Sequence, residues 1–264
     1  MNLKLEEKTA LISGSTAGIG YAIAKKLAAE GAHVIINGRK AEEVTNRVND
    51  LKKETGNKSI TGVVADFSKK EDIDKLIKEI GDVDILINNV GIFNQVDFED
   101  ISDEEWFEMF EVNVMSGVRL SRHYFPKMLK KNEGRIIFIS SESALNIPTE
   151  MIHYGFSKTA QLAISRGLAR LTKGTHVTVN CVLPGPTMSR ANEQDLKAQA
   201  EKENTTVEAV QKEFFEKRRP TSLIQRFADT EEVANMVAYI ASPVSSATNG
   251  AALRVDGGVA NYII

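Results

Sequence analysis

The sequence predicts an α/β protein built on a doubly wound parallel sheet of about seven strands, with helices on both faces. Three observations predict it. Strand-like apolar runs alternate with helix-length stretches from end to end. Several strands are continuously apolar, as in Arg135-Ile136-Ile137-Phe138-Ile139, which suits strands covered on both sides. A glycine-rich turn joins the first strand to the first helix, where such sheets bind phosphates.

In chain order, Thr9 to Ser13 reads as the first strand. The helix after it has Ile19, Ala22, Ile23 and Leu27 on one face, with Gly31 as C-cap. His33 to Asn37 is the second strand and Ala41 to Thr55 a charged helix. Ile60 to Ala65 is the third strand, and a helix from Lys69 to Ile80 stops at Gly81. Val83 to Asn88 is the fourth strand. Ser102 and Glu105 form a capping box that opens a long helix reaching Lys131. Arg135 to Ser140 is the fifth strand, Thr149 to Thr172 is helical, and His176 to Val182 is the sixth strand. A charged stretch from Ala191 to Arg219 reads as helix, Thr230 to Ala241 as another, and Ala251 to Val255 as the last strand. With no proline-rich linker, repeat or low-complexity tract, the expectation is one domain over residues 1–264, in which 188–225 is either a substrate lid or a fixed surface helix.

The 264 residues carry 33 Lys and Arg against 36 Asp and Glu, a net charge of −3. That balance provides no positive field for nucleic acid or an anionic membrane. No apolar run approaches the ~18 residues of a membrane span, and the charged start, Met1 to Lys8, lacks the core of a signal peptide, so the expected location is cytoplasmic. The single Cys181 cannot close an intrachain disulfide, and His33, His123, His153 and His176 are scattered, so no metal site is expected. Lys217-Arg218-Arg219 reads as a solvated helix end, and Trp106, Phe107 and Phe110 as a packing stripe.

The turn reads Ser13-Gly14-Ser15-Thr16-Ala17-Gly18-Ile19-Gly20, with G-x-x-x-G-x-G spacing rather than G-x-G-x-x-G. It is not a P-loop, because no Gly-Lys-Ser/Thr follows. Its placement favours a dinucleotide. The second strand ends Asn37-Gly38-Arg39-Lys40, without the carboxylate that bonds an NAD ribose. Arg39 suits a 2′-phosphate, so NADP(H) is expected over NAD(H). Tyr154 and Lys158 stand at i and i+4 on one helical face, where an ammonium can lower a phenol's pKa. Tyr21 and Lys25 share that spacing but read as helix surface and local packing. Ser141, at the end of the fifth strand, can reach the same crevice as Tyr154. Ser140 beside it points to the opposite face and reads as core or backbone-bonding.

Taken together, these residues resemble the short-chain dehydrogenase/reductase family in its single-domain, Rossmann-type branch, from about Lys8 to Gly258. The resemblance rests on Ser13 to Gly20, Asp66, Asn88-Asn89-Val90-Gly91, Asn113, Ser141, Tyr154 with Lys158, Pro184-Gly185-Pro186-Thr187 and Asp256-Gly257-Gly258. Ser13 replaces the family's threonine and keeps a hydroxyl, while Val90 replaces alanine and adds bulk. The resemblance implies that Asn113 holds a relay water, Ser141 polarises the carbonyl, Tyr154 is general acid or base, and Lys158 bonds the nicotinamide ribose. It also implies that Gly14, Ser15, Thr16, Gly18, Ile19 and Gly20 line the diphosphate and ribose, and that Asp66 meets adenine. Asn88 and Gly91 would flank the adenosine ribose and diphosphate side, and Thr187, in the cofactor-binding loop with Pro184 and Gly185, would hold the carboxamide or the diphosphate. The substrate would be a small carbonyl or alcohol, as in 3-oxoacyl-thioester reductases, and the chain a homo-oligomer, a tetramer or dimer. The alternative is a non-catalytic NADP(H)-binding redox sensor, which would not need Asn113, Ser141, Tyr154 and Lys158 together.

Overall fold

The computed structural model describes residues 2–263, apart from the side chain of residue 191. In chain order, β1 (Thr9–Ile12) leads through α1 (Gly18–Ala29) to β2 (His33–Gly38), α2 (Ala41–Thr55) and β3 (Ile60–Val64). Then follow α3 (Lys70–Ile80), β4 (Ile85–Asn88), α4 (Asp103–Phe110), a π-helical turn (Glu111–Met115), α5 (Ser116–Lys131) and β5 (Gly134–Ile139). The last third contains α6 (Ile152–Arg170), β6 (Val177–Pro184), β7 (Thr187–Met188), α7 (Arg190–Glu203), α8 (Val207–Lys217), β8 (Ala228–Asp229), α9 (Thr230–Ala241) and β9 (Ala252–Val255). Seven strands form one parallel sheet in the order β3-β2-β1-β4-β5-β6-β9, and β7 pairs only with β8. Ala10 lies between Val34 of β2 and Ile85 of β4 in register, so the strand order reverses at β1. A crevice opens above the carboxyl ends of β1 and β4, the usual ligand position in such a sheet.

Helices cover both faces because both faces of the strands are apolar. On one side Ile23 and Leu27 of α1 and Val233 and Val237 of α9 pack against Ile12, Ile36 and Ile137. On the other, Leu76, Leu120 and Tyr124 pack against Leu86, Phe138 and Val179. A smaller core of Leu196, Ala200, Val210, Phe215 and Phe227 holds α7 and α8 together. Phe214 stacks on Phe227 with ring centroids 5.0 Å apart.

The structure departs from the sequence expectations in particular places. The helix from Ser102 does begin with the expected capping box, but it is interrupted by the π turn. The charged stretch 191–219 is two helices: Asn204 takes a left-handed backbone (φ 51°) that ends α7, and Thr206 caps α8. Strand β6 runs on to Pro184, paired to Val255 of β9. Phe107 is 71% exposed, so it joins no packing stripe; Trp106 and Phe110 instead lie against Phe156 of α6. Leu223, in the 188–225 segment, is exposed and sits over Gly258. No helix among the described residues is long and apolar enough to cross a membrane.

Candidate active site

The turn after β1 is built mostly from its own backbone. Gly14 needs its positive φ of 61°, and a Cβ there would come within 2.9 Å of Val90 Cγ2. A Cβ on Gly20 would lie 2.5 Å from the Gly14 carbonyl oxygen, so α1 can approach the strand only with glycine there. Ala17 gives α1 no side-chain cap, and its first turn holds no acid. The open N–H groups and the positive helix end therefore fit a diphosphate. Ser13 Oγ donates to the Ile87 carbonyl and accepts from the N–H groups of Asn89 and Val90, so the serine keeps β1 and β4 joined.

Two implied cofactor contacts lie elsewhere than expected. Ser15 is fully buried: Oγ donates to the Ile12 carbonyl and its N–H to the Asn37 carbonyl. It shapes the turn and does not line the cavity. The Asn88 amide points to Ser121 of α5 at 3.2 Å, and Asn89 is the one that reaches the cavity. The exchange of Asn88 for Asn89 follows from strand alternation, which turns neighbouring side chains to opposite faces.

Thr16, Gly18, Arg39 and Asp66 mark the outer end of the crevice. Thr16 sits against Gly38, where a Cβ would meet it at 2.5 Å. Arg39 is exposed. The Asp66 carboxyl is held below its usual range, first by the Ser68 N–H at 3.0 Å and also by the Ser68 hydroxyl, with attraction from Arg39. Arg39 and Asp66, from two strand ends, thus share one corner.

The inner end is a cavity of about 480 Å³ whose walls include Ile19, Gly20, Gly91, Ser141, Tyr154, Lys158, Pro184, Gly185 and Thr187. Tyr154 and Ser141 both stand in the cavity wall, and Ser141 Oγ accepts from the Ser143 N–H at 3.1 Å. Ser140 Oγ instead donates to the Lys158 carbonyl at 2.9 Å, locking α6 to β5. Desolvation pushes the Tyr154 phenol up to about 12, opposed by Ser141 and by the Arg219 guanidinium. Lys158 makes its own hydrogen bond elsewhere. Its Nζ donates to the Ile139 carbonyl at 3.0 Å and lies 5.6 Å from the Tyr154 ring centre. Burial brings the Lys158 ammonium down to about 8. Gly91 leaves room for it, since a Cβ there would stand 3.2 Å from Nζ.

Asn113 anchors rather than lines. In the π turn its Oδ1 accepts from the Ile92 N–H at 2.7 Å, and Nδ2 reaches the Ile92 carbonyl and Ser157 Oγ. Gln161 Nε2 donates to the Asn113 carbonyl at 2.6 Å. His153 is fully buried, bonded to Asn94 at 2.7 Å, and does not line the cavity. Tyr21 and Lys25 both meet Glu54 at the surface, away from any cleft. No group of metal-ligating side chains exists among the described residues.

Sequence reasoning missed three residues. Asn37, 1% exposed, receives the Gly14 N–H at 3.0 Å and donates to the Val63 and Ala65 carbonyls, tying the phosphate turn to β3. Its signal was a polar residue ending an apolar strand. Glu142 and Arg219 form a buried ion pair at 3.0 Å in the cavity wall. Arg219 therefore is not the solvated helix end that its basic run suggested, and no local pattern links it to Glu142.

Against known proteins, the sequence matches the short chain dehydrogenase family over residues 8–201. It is 49% identical over 263 residues to the uncharacterized oxidoreductase YvaG of Bacillus subtilis, covering 100% of both chains. It is 32% identical to the 3-oxoacyl-acyl-carrier-protein reductase FabG of Aquifex aeolicus, covering 98% of this chain and 100% of that one. The fold superposes on L-sorbose reductase of Gluconobacter frateurii, solved with NADPH and L-sorbose, with a TM-score of 0.93, 28% identity and 100% coverage of both chains.

Proposed function

The chain belongs to the short chain dehydrogenase family of nucleotide-dependent oxidoreductases, and from that premise we propose that it reduces a small ketone or aldehyde with NADPH, or runs the reverse oxidation of an alcohol. The observation that carries this reading is that Ser141 and Tyr154 stand together in the wall of one cavity, with the Lys158 side chain buried in the same wall. A bound nicotinamide dinucleotide supplies the hydride chemistry at that cavity.

The chain's residues do the rest. The open amides of α1 and the backbone around Gly14, Gly18 and Gly20 hold the diphosphate. Arg39 would hold the 2′-phosphate and Asp66 the adenine, while Gly91, Pro184, Gly185 and Thr187 would hold the nicotinamide end. Tyr154, whose phenol keeps its proton at neutral pH, donates it to the carbonyl oxygen of the substrate. Ser141 donates a second hydrogen bond to that oxygen and fixes its direction. Lys158 holds a ribose hydroxyl and, once turned to it, favours the phenolate that forms. Asn113 keeps the Gly91–Ile92 loop and α6 in register, and its carbonyl retains a lone pair for a relay water beside Gln161. Residues 188–225 cover the substrate. The mixture of Phe93, Phe214 and Phe227 with Gln199 and Asn192 in the lining suits a substrate with both apolar and hydroxylated parts. Exposed Phe107, Phe110 and Phe156 lie on the helices through which copies of the chain would associate.

The test is Tyr154→Phe. NADPH-oxidation turnover across ketones, aldehydes and 3-oxoacyl thioesters should fall by roughly 10²–10⁴. NADPH binding should persist. Near wild-type turnover on an accepted carbonyl refutes the assignment.

A further inference from the structure

Arg219 lies just beyond α8, yet it is the most enclosed cation of its basic run. Its side chain is 13% exposed, and Nε donates to Glu142 Oε1 at 3.0 Å from a residue whose side chain is 4% exposed. The guanidinium also stands 5.9 Å above the Phe214 ring, and the Arg219 N–H bonds the Phe214 carbonyl. Arg219 is therefore fixed to the α7–α8 helical pair on one side. On the other it grips the residue next to Ser141. Glu142 Oε2 is buried without a hydrogen-bond partner, so the carboxylate depends on Arg219 for its neutralisation. The small core of Leu196, Val210, Phe215 and Phe227 already holds the two helices together. A buried ion pair adds little to such packing that an apolar contact would not supply. What it adds is a charge-bearing link between the cover and the wall.

We propose that Arg219 is a positioning residue for the reaction proposed above: through Glu142 it fastens the α7–α8 cover to the strand end that carries Ser141, so that closing the cavity and assembling the Ser141–Tyr154 pair happen together. The electrostatics agree. The Glu142 carboxylate opposes ionisation of Tyr154, and the Arg219 guanidinium favours it. The other charged groups around this point are Lys158 on α6, Asp195 on α7, Asp256 after β9, and Arg218 and Glu150 at the cavity rim.

The experiment uses the full chain with Arg219→Gln, Arg219→Lys, Glu142→Gln and the double Gln variant. Hydrogen exchange of the amides of residues 207–217, read without cofactor, should speed up about tenfold in Arg219→Gln. The pH midpoint of Tyr154 is read from phenolate absorbance as the difference from Tyr154→Phe, and from the alkaline limb of kcat for reduction. At the alkaline pH where the phenol titrates, Glu142 is charged. Losing Arg219 should then raise the midpoint, and losing Glu142 should lower it, each by roughly half a pH unit or more. The double variant should fall between the two and recover part of the kcat lost in Arg219→Gln. Arg219→Lys should restore the midpoint more fully than the exchange rate, since lysine keeps the charge but not the fork. Unchanged exchange in Arg219→Gln overturns the proposal. So does faster exchange with no opposed movement of the two midpoints, which marks a strut without influence on the proton donor. Tyr154→Phe separates the readings: if it stays active, the function itself is misassigned, whereas an inactive Tyr154→Phe with an inert Arg219→Gln removes only this inference.

Discussion

Replacing Asn37 with alanine should weaken the protein at the turn that receives the diphosphate. The side chain is 1% exposed and makes three hydrogen bonds: one from the Gly14 N–H at 3.0 Å, and two to the Val63 and Ala65 carbonyls at 3.3 and 3.2 Å. Truncation leaves the Gly14 donor without its acceptor, which costs about 1–3 kcal/mol, and removes two further bonds of about 0.5–1.5 kcal/mol each. The expected loss is roughly 2–6 kcal/mol, a large part of a total stability of about 5–15 kcal/mol. Urea unfolding measures it directly, and at ~2–4 °C per kcal/mol the Tm should fall by roughly 5–20 °C. Because the lost bonds order Gly14, the NADPH Kd should also rise, by about tenfold. Asn37→Asp should fare no better: it keeps an acceptor for Gly14 but turns a carboxylate oxygen toward two carbonyls. A loss below about 1 kcal/mol with an unchanged NADPH Kd would refute the reasoning, since it would mean that the turn holds its shape without Asn37.

Two other perturbations probe the ends of the crevice. Arg39→Asp should remove attraction for a 2′-phosphate and add repulsion, changing the NADPH-to-NADH ratio of kcat/KM by about tenfold or more; an unchanged ratio rejects the cofactor assignment. Lys158 tests the site through stability. Unfolded, the lysine keeps its proton to 10.5, whereas in the fold it releases it near 8. The unfolded state therefore binds more protons between those values, so stability should rise with pH across that window, and the burden is full below pH 8. Lys158→Met should accordingly stabilise the cofactor-free protein at pH 7 by up to about 3 kcal/mol while reducing turnover. A Tm at pH 7 lower than that of the unaltered chain would show that the ammonium's bond to the Ile139 carbonyl outweighs its desolvation.

Periodicity and turn chemistry are local, and they made the alternation of strands and helices legible along the chain. The glycine turn was legible because its backbone demands are local: Gly14 needs a positive φ, and Gly20 a gap where a Cβ would collide. The Ser102 capping box is likewise a matter of four consecutive residues. The π turn at Asn113 was not legible, because its extra backbone loop depends on bonds to Ile92 and Gln161 from distant segments. The break at Asn204 was missed although Asn204-Thr205-Thr206 offers a left-handed C-cap and an N-cap hydroxyl, because the charged stretches on either side read as one segment.

The amino-acid order by itself determined which seven strands build the main sheet, where the glycines let backbone approach backbone, and that Tyr154 and Lys158 share a helical face. Only the tertiary structure decided which side chain at each strand end faces the cavity. It turned Ser15 and Asn88 into the frame and brought Asn89 to the wall. It also joined Glu142 to Arg219 across 77 positions of chain. Side-chain direction at a strand end follows from pairing on both flanks, and a buried charge finds its partner only when the sheet and its cover close over it.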